Sequence, residues 1–82
     1  MKPKEIKEIA DPNAIVWDGF DDAIIGIDTD GRIVYDTEKM ESILIERDNM
    51  TQEEAIEYLD FNVYCNHVSE SLNPIHITIL KK

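Results

Sequence analysis

The residues best equipped for chemistry in this chain are carboxylates. Six aspartates fall within residues 17–36, "WDGFDDAIIGIDTDGRIVYD". Oxygen ligands of this kind suit hard cations such as calcium and magnesium. Asp28-Thr29-Asp30-Gly31 has the look of the start of a calcium loop. Such a loop needs ligands at positions 1, 3, 5, 7 and 9 and a bidentate glutamate at position 12. Counting from Asp28, position 5 is Arg32 and position 12 is Lys39. Both are wrong for a cation, so the stretch reads as a turn. Asp18, Asp21 and Asp22 obey no fixed ligand spacing, and they lack so simple a structural account.

The remaining reactive groups form weaker constellations. Cys65 and His67, with His76 nine residues further on, offer at most three soft ligands, and structural zinc needs four. A nucleophilic cysteine needs positive charge or a helix N-terminus to favour the thiolate. Cys65 lies instead near the end of an expected helix in an acidic chain. Glu53, Glu54 and Glu57 belong to the first turns of that helix, where the dipole favours acids without any catalytic role. The chain has only Gly19, Gly26 and Gly31, so no glycine-rich phosphate loop exists. Asn49-Met50-Thr51 matches a glycosylation pattern, but Thr51 already has a use as a helix cap. The sequence therefore predicts no catalytic residue, no cofactor and no bound metal.

Elements must position these groups. Ile6, Ile9 and Ala10 in "KEIKEIA" have helical spacing, and Asp11-Pro12-Asn13 stops that helix. "AIVWDG" is expected to form a first strand. "AIIGI" and "RIVYD", separated by Asp28–Gly31, predict a β-hairpin, with Gly31 supplying the positive φ of the turn. Asp36 or Thr37 then caps a helix carrying Met40, Ile43 and Leu44 on one face. Asn49 is suited to close it in a left-handed conformation. Thr51 and Glu54 have capping-box spacing ahead of Ala55, Ile56, Leu59 and Val63, which predicts a second helix reaching about Tyr64 or Cys65. "NHVSESLNP" reads as loop. "IHITI" alternates Ile75, Ile77 and Ile79 against His76 and Thr78, the period of a half-buried strand. The expected fold is α+β. A small antiparallel sheet, made of the hairpin and the C-terminal strand, is covered on one face by two helices. One domain spans residues 1–82, with 1–13 as a helical arm and 14–82 as the core.

Composition narrows the function classes. At 82 residues the chain buries only about 60–65% of its unfolded surface, enough for one modest core. Apolar runs such as Ile43-Leu44-Ile45 fall far short of the roughly 20 residues that span a bilayer. The start "MKPKEIKEIA" has no apolar signal region, and the single cysteine fits a reducing cytoplasm. Eighteen acids face eight bases, a net charge of −10. Between Asp11 and Leu80 sixteen acids face only Arg32, Lys39 and Arg47. Direct nucleic-acid binding is not expected, because phosphate contacts need cations. A partner with a basic surface is.

The aromatic residues supply candidate anchors. Tyr58, Phe61 and Tyr64 recur every three residues, displaced from the Ala55/Leu59/Val63 face. The helix is then apolar over more than half its circumference, and is either sandwiched in the fold or offers a patch to a partner. Trp17 beside Asp18 is a second candidate, tryptophan being enriched at binding hot spots. The candidate interface is Trp17, Asp18, Phe20, Asp21, Asp22, Tyr58 and Phe61.

"DGFDDAIIGI", "YD", "ERDNMTQEEAIEYLDFNV" and "NPIHI" together resemble a pattern found in a family of small bacteriophage and prophage proteins. The resemblance spans residues 18–77. Relatives of that type follow Asn-Val with small residues and Gly-Glu, where this chain has "YCNHVSESLNP". No catalytic residue carries across. The resemblance implies a stand-alone phage accessory protein in the host bacterial cytoplasm. Taken with the charge, it suggests a non-enzymatic module that binds a host or phage protein and antagonises a host function. The alternative is a small-molecule or divalent-metal module, such as a nucleotide sponge. Dimerisation is consistent with edge strands and extra aromatic surface that need cover.

Overall fold

The computed structural model describes residues 2–64 and 72–80. The N-terminal helix, α1, spans Pro3–Ile9. A 3₁₀ turn at Asp21–Ala23 leads into strand β1, Ile24–Ile27, and a tight connection returns as β2, Ile33–Asp36. Helix α2 covers Thr37–Asp48 and α3 covers Gln52–Leu59. A π-helical turn at Asp60–Tyr64 continues α3, and strand β3 is Ile75–Ile77. The fold is α+β, as the sequence predicts. The sheet has the order β1-β2-β3. It is mixed, because β1 and β2 pair antiparallel while β3 lies parallel to β2.

Local chemistry accounts for most element boundaries. In the hairpin turn the Asp28 carboxylate accepts the backbone N–H of Asp30 at 2.9 Å and of Arg32 at 2.8 Å. Gly31 has φ +87°, and an added Cβ there would meet the backbone N of Asp11 at 2.9 Å. The Asp11 N–H in turn donates to the Gly31 carbonyl. Glycine thus serves both the turn and the approach of the N-terminal arm. Asp36 caps α2, accepting from the N–H groups of Glu38 and Lys39. Asn49 closes α2 at φ 55°, a conformation asparagine tolerates better than most residues. Thr51 and Glu54 form the expected capping box in both directions.

The core is one cluster. Ile6, Phe20, Ala23, Ile24, Ile33, Tyr35, Met40, Leu44, Ala55, Leu59 and Val63 are buried together. Hence α1, the sheet and both later helices contribute to one hydrophobic centre.

Three expectations fail. The sheet is not the antiparallel one expected of the hairpin and the C-terminal strand, because β3 runs parallel to β2, α2 and α3 forming the crossover that a parallel pair needs. "AIVWDG" forms no strand; its ordered contact is an isolated parallel bridge between Ala14 and Leu72, with the Ile15 N–H donating to the Leu72 carbonyl. The segment instead packs against β2 and β3 through Trp17, whose N–H donates to the Tyr35 hydroxyl at 2.8 Å. The expected alternation over residues 75–79 does not hold: β3 is three residues long, Ile75 and His76 are half-buried, and Ile77, Thr78 and Ile79 are all exposed. His76 pairs with the fully buried Tyr35 and shares its side of the sheet.

Candidate functional site

An arginine ties the "WDGFDD" loop to α2. Arg47, in the last turn of α2, donates from Nη1 to the Gly19 carbonyl at 2.8 Å. Its guanidinium lies 5.6 Å from the centre of the Phe20 ring and pairs with Asp48 at 3.2 Å. That pairing favours the charged guanidinium and raises its pKa. Gly19 has φ +86°, and a Cβ there would stand 2.8 Å from Arg47 Nη1. The loop needs glycine at this position so that the arginine can reach its backbone.

These contacts separate the residues singled out in the sequence. Phe20 is 5% exposed and belongs to the core, so it is not an interface side chain. Asp21 accepts a salt bridge from Lys7 at 3.0 Å, which ties α1 to the 3₁₀ turn. Asp18 and Asp22 are exposed. Asp21 and Asp22 face Glu46 and Arg47 across an open groove of about 480 Å³, whose other walls are Gly19 and Ile43. Trp17 and Phe61 are not among its walls. Among the described residues no group of three or more His, Cys, Asp or Glu is placed to hold a metal ion. Cys65 and His67 lie outside the described residues.

Trp17 belongs to an aromatic cluster that sequence reasoning missed. Its indole Nε1 donates to His76 Nε2 at 2.9 Å. The His76 ring stacks near parallel with Trp17 at 6.2 Å and with Tyr35 at 6.1 Å, and meets Tyr64 at 4.8 Å, tilted by 59°. Because Nε2 accepts, the imidazole is neutral with its proton on Nδ1. Burial also depresses the His76 pKa. Burial pushes the Tyr35 and Tyr64 phenols up to about 12, with acidic neighbours adding to both shifts. The Tyr64 hydroxyl is buried and has no hydrogen-bond partner among the described residues. Stacking and the Trp17 hydrogen bond account for these rings, and the cluster is read as packing. Its signal in the sequence was His76 on a strand rich in isoleucine, which alternation alone assigned to solvent.

The surface of α3 is the other exposed feature. Ala55, Leu59 and Val63 turn inward, which leaves the flanking apolar residues uncovered. Phe61 is 73% exposed and Tyr58 39%. Phe61 follows Tyr58 by three residues and Glu57 by four, so the three share one face. The π-helical turn begins at Asp60, and turns of this kind recur at functional positions. The helix is therefore not sandwiched: it offers an aromatic patch bordered by carboxylates. Arg32 and Arg47 are turned to local duties at Asp28 and at Asp48 and Gly19. They form no anion cradle in one chain.

No family profile, curated protein or solved structure matches this chain.

Proposed function

We propose that the protein is a non-enzymatic, acidic protein-binding module. Its partner carries a basic surface with an apolar recess, and the contact runs through the α3 face centred on Phe61. The exposure of Phe61 among carboxylates carries this reading. A large aromatic side chain left in solvent is a strong candidate anchor. Glu53, Glu54, Glu57 and Asp60, on or next to α3, would attract and orient a cationic partner. The resemblance to small phage proteins supports the finer form of the proposal: an accessory protein in the host bacterial cytoplasm that occupies a basic surface of a host protein. Occupying a nucleic-acid-binding surface would fit a net charge of −10.

The test is affinity capture from bacterial lysate at low and at raised salt. The reading expects a discrete protein retained at low ionic strength and released as the Debye length falls from about 30 Å at 0.01 M to about 8 Å at 0.15 M. A lysate that yields no protein at low salt contradicts it.

A further inference from the structure

We propose that two copies of the chain pair through β3, strand against strand, around a two-fold axis. This rests on observations independent of the α3 reading. In the sheet order β1-β2-β3, β3 lies at an edge. Among the described residues no strand pairs with its outer side. An edge strand presents unpaired N–H and C=O groups and is a template for another strand. Here the edge is also apolar: Ile77 is 38% exposed, Ile79 45% and Leu80 93%.

Charge selects the occupant. The chain is acidic almost throughout, so most ways of bringing two copies together set carboxylates against carboxylates. Residues 71–82 are the longest stretch with no aspartate or glutamate. That stretch contains β3 and its exposed apolar side chains. A self-contact along β3 sets no carboxylate of the strand against its copy, with Glu38 and Glu41 lining a groove beside Thr78, whereas one through α3 would face Glu53, Glu54, Glu57 and Asp60 with themselves. Antiparallel pairing of an edge strand with its own copy satisfies two-fold symmetry, since each residue meets its counterpart in reverse register. It would join two three-stranded sheets into one of six.

The test is sedimentation equilibrium of the full chain over a range of concentrations. The expected result is a species of twice the 9.5 kDa chain mass that tightens as salt screens the residual repulsion. Binding through α3 should respond to salt in the opposite direction, so the two proposals fail separately. Ile77→Lys and Ile79→Lys should each weaken the dimer by about tenfold or more, as expected for charges placed in an apolar contact. Phe61→Ala should leave it unchanged. Ile79 lies outside the strand and the core, so Ile79→Lys remains informative if Ile77→Lys perturbs folding. A single-chain mass at every concentration overturns the proposal. So does a dimer that is indifferent to both lysine variants.

Discussion

At the scale of single residues, the most consequential contact is the hydrogen bond from Trp17 to His76. It requires a neutral imidazole, and burial holds His76 below its ordinary value of 6.5. The unfolded chain therefore binds a proton that the folded chain resists. This contribution to stability is complete above pH 6.5 and declines as pH falls from there through the depressed folded value. Urea midpoints should drop between pH 7.5 and 5.5, and by less in His76→Gln, which does not titrate. Equal drops in both proteins would contradict the assignment. Trp17 is the only tryptophan, so its emission reports on the same contact. The tyrosines act at the other extreme. Tyr35 and Tyr64 are raised from 10 to about 12. Their contribution is complete below pH 10 and is lost as pH rises from 10 towards 12. Alkaline titration should show Tyr35 and Tyr64 ionising late, above the ordinary phenol range.

At the scale of elements, stability rests on caps that could be read from the sequence and on packing that could not. Asp36 is 6% exposed and holds two helix N–H groups. Asp36→Ala should cost about 1–2 kcal/mol, and Thr51→Ala, at an exposed cap, about 1 kcal/mol. Leu44→Ala in the core should cost about 2–5 kcal/mol. Denaturant unfolding measures all three. The caps and the Asp28–Gly31 turn were legible because each depends on residues within four positions of one another, and the hairpin follows from that turn, its paired residues lying no more than eleven positions apart. The first expected strand was not. "AIVW" has strand-like composition, but Trp17 and Tyr35 bond to one another outside any ladder. The faces of β3 were also hidden. Alternation suggests a half-buried strand, but the burial of His76 depends on the parallel pairing with β2 that sets it beside Tyr35. That pairing joins residues some forty positions apart, and no local rule encodes it. Among the site candidates, Phe61 and Tyr58 proved exposed, while Phe20 was absorbed by the core because Arg47 holds the Gly19 backbone against α2.

At the scale of the whole molecule, charge and exposed apolar surface divide between two regions. The α3 face joins an aromatic patch to carboxylates, and the β3 edge joins an aliphatic patch to an acid-free stretch. The first suits a cationic partner and the second a copy of the chain. Neither patch is needed for the core. Phe61→Ala should therefore change folding stability by no more than about 0.5 kcal/mol, as expected for an exposed side chain away from caps and core. Binding should be lost while the fold is kept. The measurement that bears most directly on the proposed function is low-salt capture from bacterial lysate, run in parallel with the wild-type chain and Phe61→Ala. The expected result is a protein retained by the wild type and lost with the variant, whose circular dichroism is unchanged. Equal retention by both chains would contradict the assignment of the α3 face.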